Sequence, residues 1–464
     1  MIKNSYTQDL TPDQKSEPPF NFHVHSFGCK SNTYEAEAVA AWLLERNGQE
    51  LADYQDSDLI IFNTCTVTGE AGRKARQAMR RARKLAPDAI LVAMGCQSQL
   101  EDMSELADFC GGTSYRLELV AEALAAVRQG KGTTPSKEQA APFPYNRQYE
   151  ELGQLVRQEE TRAKLKVADG CQEFCTYCAI CLARGPVRSR DRADILAEAQ
   201  ALIERGSKEL VLTATHLTAF EQDLGRDHLA LAELIGELAE LPGNFRIRLG
   251  SLEPQSLTPA FVEAIAGIDK LCPHFHLSLQ SGSDRVLKRM NRKYTKEDYR
   301  ALVTALRQHF DRPSITTDVM VAFPGESEED FQETYDFCQE IGFSRLHVFR
   351  YSRRRHTPAA SFPDQVPARV SKERSERLQF LGERLARENA LSFIGEEVEI
   401  ILEQPEEDGL YNGYTARYFP ALIDFNSVEN EKMDKTPAQG DLWRAKVETC
   451  KEGRLYLRPL SLML

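Results

Sequence analysis

Two successive series of short β-rich runs, each run followed by a stretch of helical periodicity, constrain this chain more than any other feature. Such alternation calls for parallel sheets covered by helices, because a parallel strand pair needs a crossover long enough to hold a helix. From about residue 20 to 128 the series reads FHVHSF, TYEAEAVAAWLLERNG, DLIIFN, a basic helix, AILVAMG and LELVAEALAAVRQG, which predicts an open parallel sheet. In the second series, strands are expected near Lys164–Ala168, Glu209–Thr213, Phe245–Gly250, His274–Leu279, Ile315–Ala322 and Arg345–Tyr351. Six strands separated by helices point to a partial (β/α)6 barrel, whose functional residues belong at the strand C-terminal ends. From about residue 391 the pattern changes to strand-like runs with glycine turns (EEVEIILEQ, LYNGYTARYFPALIDF, GDLWRAKVETC), the signature of a small all-β barrel.

The fold class is therefore α/β with a terminal β module. Its expected organisation is a disordered lead-in over 1–20, a sheet domain over 21–128, a linker over 129–160, a central barrel over 161–390 and the β barrel over 391–464. A chain of 464 residues is too long for one domain, and 42% hydrophobic content excludes a wholly disordered or fibrous protein. The polar opening MIKNSYTQDLTPDQKSEPPF lacks the apolar core of a signal peptide, and runs such as LIIF and AILVAM are far too short to cross a bilayer. A cytoplasmic protein with no membrane partner is the expectation, and its eleven cysteines then read as metal ligands or free thiols rather than a disulfide frame.

Three of these cysteines form the sharpest local signal: Cys171, Cys175 and Cys178, spaced CxxxCxxC directly after the first strand of the second series. Three thiolates on one short loop can hold three irons of a cubane and leave the fourth open to a ligand. The competing reading is zinc, which prefers four closed ligands in two separated pairs. Cys181 makes a further CxxC with Cys178 and is either a fourth ligand or a spectator. A second set appears only once the fold is read: Cys29, Cys65 and Cys96 each follow one of the first three strands, in HSFGC, IFNTC and VAMGC. Strand C-terminal ends share one edge of an open parallel sheet, so these three should converge on a second cluster. Taken singly, each would read as an ordinary buried cysteine.

The segments GCKSNTYEAE, NTCTVTGEAGRKARQ, GCQSQ, DGCQEFCTYCAICLARGPVRSR, HLSLQSGSDRVLKRMNR, TTDVMVAFPGESEEDF and YSRRRHTPAA closely resemble the radical S-adenosylmethionine (SAM) methylthiotransferases. NTCTVT, ARGPVRSR and YSRRRHTPAA look most like the branch that acts on N6-threonylcarbamoyladenosine at tRNA position 37. The branches acting on isopentenyladenosine or a ribosomal protein are alternatives, as is a non-catalytic RNA-binding iron–sulfur protein. The resemblance implies two [4Fe–4S] clusters: one on Cys171, Cys175 and Cys178 that binds and cleaves SAM, and one on Cys29, Cys65 and Cys96 that carries sulfur. It implies a second SAM as methyl source, a tRNA anticodon loop as substrate, and a reducing electron-transfer protein and a sulfur donor as partners. Tyr177, Thr213, Glu253, Gln280 and Asp318 become candidates for SAM or substrate contacts, and the terminal module resembles the RNA-binding TRAM barrel. The chain departs from the family pattern at Cys181 and Leu182, in place of proline and tyrosine, and at Ala214 and Ala322, in place of glycine. A glycine-to-alanine change matters wherever φ is positive.

The formal net charge of −12 argues against nucleic acid only if charge is evenly spread. It is not. Gly72–Lys84 holds seven basic residues and no acid, with Arg73, Arg76, Arg80 and Arg83 on one helical face. Arg345–Arg355 holds five more, among them Arg350 and Arg353, and ARGPVRSR adds Arg184, Arg188 and Arg190. These nine arginines are the expected RNA contacts. The terminal module, by contrast, carries eight basic and fourteen acidic residues from Ser392 onward, so RNA binding there falls to aromatics such as Tyr411, Tyr414 and Tyr418.

Overall fold

In the computed structural model, residues 18–130, 143–146, 148–153, 161–406, 409–427 and 436–463 are described, so most of the expected lead-in and much of the expected linker lie outside the described residues. The chain divides into two units: 1–158 with 170–172 and 178–188, and 159–169 with 173–177 and 189–464.

The first unit is built on β1 (Phe20–Ser26), β2 (Gly48–Glu50), β3 (Leu59–Thr64), β4 (Ile90–Gly95) and β5 (Phe109–Cys110), ordered β2-β1-β3-β4-β5. All its pairings are parallel. Helices α1 (Lys30–Leu44), α2 (Gly69–Leu85) and α3 (Cys96–Leu100) lie in connections between its strands, and α4 (Arg116–Arg128) follows β5. Side chains alternate across a strand, so LIIFNT serves two cores at once. Leu59 and Ile61 pack with Val39, Leu43, Val92 and Leu124, while Ile60 and Phe62 pack with Met79, Ala82 and Leu91. Every residue of β3 and β4 is buried, as expected of central strands covered on both faces.

In the second unit all six strands expected from sequence form, with two short additions: β6 (Ala163–Asp169), β7 (Arg188–Ser189), β8 (Glu209–Ala214), β9 (Arg246–Leu249), β10 (Ser251–Leu252), β11 (His274–Leu277), β12 (Ser314–Val321) and β13 (Arg345–Arg350). They make two four-stranded sheets, β7-β6-β8-β9 and β10-β11-β12-β13, joined where the chain runs from β9 through Gly250 into β10. Local signals fix the helices between them. Thr295 with Asp298 and Ser327 with Asp330 form capping boxes that open Lys296–His309 and Glu328–Ile341, and Gly342 ends the latter in a left-handed conformation at φ +66°. The tail closes into a five-stranded barrel, β14 (Glu397–Pro405), β15 (Leu410–Thr415), β16 (Pro420–Asp424), β17 (Leu442–Lys451) and β18 (Arg454–Leu462), in the order β14-β15-β16-β18-β17. Ile400, Leu402, Ala421, Ile423, Trp443, Val447 and Leu457 fill its interior.

Ala322, just past β12, is buried at φ +62°. An L-residue pays about 1–2 kcal/mol there, part of which glycine returns as extra freedom in the unfolded chain. Ala322→Gly is therefore expected to raise the unfolding free energy by about 0.5–1 kcal/mol in urea titrations. A loss of stability would show that the methyl packing outweighs the strain.

Candidate iron–sulfur sites

The first site lies in the first unit. β1, β3 and β4 are adjacent and parallel, with Ser26 opposite Asn63 and Thr64 opposite Gly95, so Cys65 and Cys96 leave the same edge side by side and Cys29 follows three residues beyond β1. Two glycines make the turns possible. Gly95 has φ +98°, and a Cβ there would stand 2.3 Å from Asn63 Oδ1; Gly28 has φ +105°, and its Cβ would meet Cys65 Sγ at 2.4 Å. Asn32 ties the edge together: its Nδ2 donates to Phe27 O at 2.8 Å and Thr64 O at 3.0 Å. Its Oδ1 lies 3.8 Å from Cys29 Sγ and 4.0 Å from Cys96 Sγ, so two of the three sulfurs reach one amide oxygen. Burial pushes the Cys96 thiol up to about 12, against the pull of Arg184. Among the described residues no group of three or more His, Cys, Asp or Glu side chains could hold a single metal ion. Three thiols carried to one sheet edge suit a cluster that takes one thiolate per iron.

Arg184 closes this site from one side. It belongs to α5 (Ile180–Arg184) and is 1% exposed. Its Nε donates to Cys96 Sγ at 3.2 Å, its Nη1 to Glu35 Oε1 at 2.6 Å and its Nη2 to Asn32 Oδ1 at 2.6 Å. Glu35, fully buried, also pairs with Arg116 at 3.0 Å, and Arg116 pairs with Glu150.

Of the CxxxCxxC cysteines, Cys171 and Cys178 fall in the first unit and Cys175 in the second. In the first, Cys171 N donates to Gly185 O at 3.0 Å, Ile180 N donates to Cys178 Sγ at 3.4 Å, and the Cys181 thiol donates to Cys178 O at 3.7 Å. α5 is anchored at Ala183 O by Thr113 Oγ1 (2.7 Å) and at Leu182 O by the Tyr145 hydroxyl. In the second, residues 289–292 pin the loop: Asn291 Nδ2 donates to Glu173 O and Phe174 O at 3.2 and 3.0 Å, and Thr176 N donates to Met290 O at 3.0 Å. Arg292 donates from Nη1 to Cys175 Sγ at 3.3 Å and pairs with Glu253. Burial pushes both the Cys96 and the Cys175 thiol up, and the arginine beside each opposes that push without overcoming it.

The remaining candidates are distributed over the second unit. Thr213 is buried one residue before the end of β8, and Glu253 follows β10 in the grip of Arg292. Gln280 follows β11 at φ +64°, its backbone bridged to Asp318 O and Met320 N. Asp318 faces His276 Nε2 at 3.4 Å, and Tyr177 lies edge-on to Phe323 at 6.5 Å. Sequence reasoning did not single out Arg292, Asn32 and Glu35, although Asn32 and Glu35 lie in GCKSNTYEAE and Arg292 in HLSLQSGSDRVLKRMNR. It also missed His216, buried after β8, whose Nε2 has no hydrogen-bond partner among the described residues.

The expected RNA contacts divide. Arg73, Arg80, Arg350 and Arg353 are exposed. Arg76 and Arg83 pair with Glu101 and Asp108, which cancels part of the α2 charge. Arg184, Arg188 and Arg190 are buried, Arg184 and Arg190 held by Glu35 and Glu198, so none of the three offers a guanidinium to phosphate. The barrel aromatics are also engaged. Tyr414 and Tyr418 stack at 4.7 Å, with the Arg162 guanidinium 4.8 and 5.4 Å from their centroids and that of Arg248 4.9 Å from Tyr418. Tyr411 donates to Pro437 O.

Comparison with known proteins decides the family. The Radical SAM superfamily model matches residues 165–338, and a model described as uncharacterized protein family UPF0004 matches 21–111. The threonylcarbamoyladenosine tRNA methylthiotransferase MtaB of Bacillus subtilis is 40% identical over 410 residues, covering 86% of this chain and 89% of that one. The chain belongs to the radical SAM methylthiotransferases. A second relative, the tRNA-2-methylthio-N(6)-dimethylallyladenosine synthase of Acetivibrio thermocellus, is 35% identical over 440 residues, covering 92% of this chain and 88% of that one. Among solved structures, the radical SAM methyltransferase TsrM from Kitasatospora setae shares the fold at TM-score 0.55 and 15% identity, covering 74% of this chain and 77% of that one. As a radical SAM methylthiotransferase the chain is an enzyme that uses SAM and a [4Fe–4S] cluster. Among the described residues no helix is long and apolar enough to cross a membrane.

Proposed function

We propose that this enzyme adds a methylthio group to carbon 2 of N6-threonylcarbamoyladenosine at position 37 of tRNA. The observation that carries the substrate is the 40% identity to the threonylcarbamoyladenosine-directed relative over most of both chains, together with NTCTVT, ARGPVRSR and YSRRRHTPAA. When bound, SAM and the clusters supply the radical, the sulfur and the methyl group; the protein supplies ligands, orientation and exclusion of competing reactions. Cys171, Cys175 and Cys178 are assigned to the SAM-binding cluster, with Arg292 steadying the Cys175 sulfur and fixing Glu253 beside it. Cys29, Cys65 and Cys96 are assigned to the second, sulfur-carrying cluster on the strength of the adjacent strand ends that carry Cys65 and Cys96 and of the Asn32 amide oxygen beside Cys29 and Cys96. Thr213, Gln280, Asp318 and Tyr177 remain candidates for SAM or substrate contacts. Arg73, Arg80, Arg350 and Arg353 are the exposed cations left for RNA phosphate. A reducing electron-transfer protein and a sulfur donor complete the set of partners this chemistry requires.

The test is the nucleoside profile of total tRNA from a strain lacking the gene and any paralogue. Loss of 2-methylthio-N6-threonylcarbamoyladenosine, with the unmethylthiolated nucleoside accumulating, is expected. If that product persists and 2-methylthio-dimethylallyladenosine vanishes instead, the substrate belongs to the other named branch.

A further inference from the structure

Arg184 was expected among the RNA contacts, yet it is fully buried, as Arg116 of the same unit is. All three nitrogens of its guanidinium are committed, to Cys96 Sγ, Glu35 Oε1 and Asn32 Oδ1, at 3.2, 2.6 and 2.6 Å. A buried arginine that only closed an ion pair would need the carboxylate alone. This one also points an N–H at a cysteine sulfur, and the amide oxygen that steadies it lies beside both Cys29 and Cys96. At 1% exposure the charge is screened by neither water nor salt. We propose that Arg184 is a positioning residue that sets the reduction potential of the cluster on Cys29, Cys65 and Cys96. The inference rests on the two-cluster reading above.

The physical basis is charge and hydrogen bonding at sulfur, two of the factors that fix iron–sulfur potentials. Reduction adds one negative charge to the cluster. A cation in direct contact with a ligand sulfur stabilises the reduced state more than the oxidised one, so Arg184 raises the potential. The surrounding ions give the sign a second check. Arg184 and Arg116 are balanced by Glu35 and Glu150, and Glu35 bridges both arginines. Neutralising Arg184 leaves this group one charge more negative, and neutralising Glu35 leaves it one charge more positive. The two changes must move the potential in opposite directions. A purely structural role predicts no such sign reversal, since either loss loosens the same network.

The experiment uses the full chain carrying Cys171→Ala, Cys175→Ala and Cys178→Ala, reconstituted anaerobically so that only the second cluster is loaded. The readout is a redox titration followed by electron paramagnetic resonance. Arg184→Gln in this background is expected to shift the reduced-to-oxidised ratio at fixed potential about tenfold towards oxidised, about 59 mV lower for a one-electron couple. Glu35→Gln is expected to shift it the other way, and Arg184→Lys, which keeps the charge, to stay within about threefold of the parent. Equal potentials in all variants, or shifts of one sign, would overturn the proposal. If Arg184→Gln does not retain the cluster, the Glu35→Gln shift decides, and its absence counts against Arg184. If the parent background binds no iron, the two-cluster reading fails instead.

Discussion

Glu209→Ala is expected to destabilise the folded chain by about 3–5 kcal/mol, the cost of leaving buried charge without its partner. Glu209 is fully buried at the start of β8 and receives Arg248 through Nε and Nη2 at 2.6 and 2.8 Å and Arg246 through Nε at 2.7 Å. Both arginines donate onward to barrel carbonyls: Arg246 to Tyr414 O at 3.0 Å, and Arg248 to Thr415 O and Ala416 O at 3.2 and 3.0 Å. One carboxylate thus orients the two cations that hold β15 to the central strands. Without it the barrel should loosen as well, so limited proteolysis near residues 391–397, between the long helix Ala368–Leu391 and β14, is expected to accelerate. The effect has a definite pH dependence. Burial alone would raise the Glu209 carboxyl, but Arg248 and Arg246 outweigh it and hold it well below the usual carboxylate range. A depressed folded-state value means stability that is fully present above the unfolded value of about 4 and is lost as pH falls towards the folded one. The gap between parent and Glu209→Gln in urea titrations should therefore be constant from neutral pH to about 5 and shrink below about 4. A gap under about 1 kcal/mol at neutral pH would show that the arginines find other partners.

The legibility of this molecule followed the range of the interactions involved. Runs such as LIIFNT and AILVAMG declare buried parallel strands because period and composition are local properties, and all six strands of the second series form where the pattern places them. The six candidate cysteines could be placed for the same reason: Cys29, Cys65, Cys96 and the Cys171 loop each lie just past a strand, and a strand end is where a parallel sheet presents side chains to a ligand. Ala322 was legible as a departure from glycine, and its positive φ gives the departure a cost. The arginines were not legible. Arg184 sits in a basic run that reads as an RNA surface, but its carboxylate, Glu35, lies 149 residues away in the sequence. Arg190 is claimed by Glu198 eight residues on, and Arg76 and Arg83 by acids 25 residues on. Charge counted along a sequence cannot tell a solvated guanidinium from a paired one. The barrel aromatics are hard to read from sequence on the same ground, since Tyr414 and Tyr418 face the protein's own Arg162 and Arg248.

Cys175→Ala and Cys65→Ala are expected to separate the two halves of the reaction. Each removes one of the ligands proposed for one cluster, so iron in the reconstituted protein is expected to fall from about eight to about four per chain in both variants. The consequences then diverge. Cys175→Ala removes the thiol that Arg292 holds at 3.3 Å, and reductive cleavage of SAM to 5′-deoxyadenosine should drop below detection, with no methylthiolated tRNA formed. Cys65→Ala leaves the CxxxCxxC loop and its pins at residues 289–292 untouched, so SAM cleavage should persist at a rate within a few-fold of the parent while methylthiolation is lost. Cys65 suits this test because it is buried at the sheet edge beside Gly28, where an alanine fills less space and strains nothing. If Cys65→Ala keeps all its iron, the three converging thiols are not ligands of one cluster. If the parent carries about eight irons but yields no 5′-deoxyadenosine, the departures at Cys181, Ala214 and Ala322 have removed catalysis, and the chain binds RNA and iron without turning over. Full activity in Cys65→Ala would be the most damaging result, since it would leave the sheet-edge cysteines, and the fold that gathers them, with no chemical task.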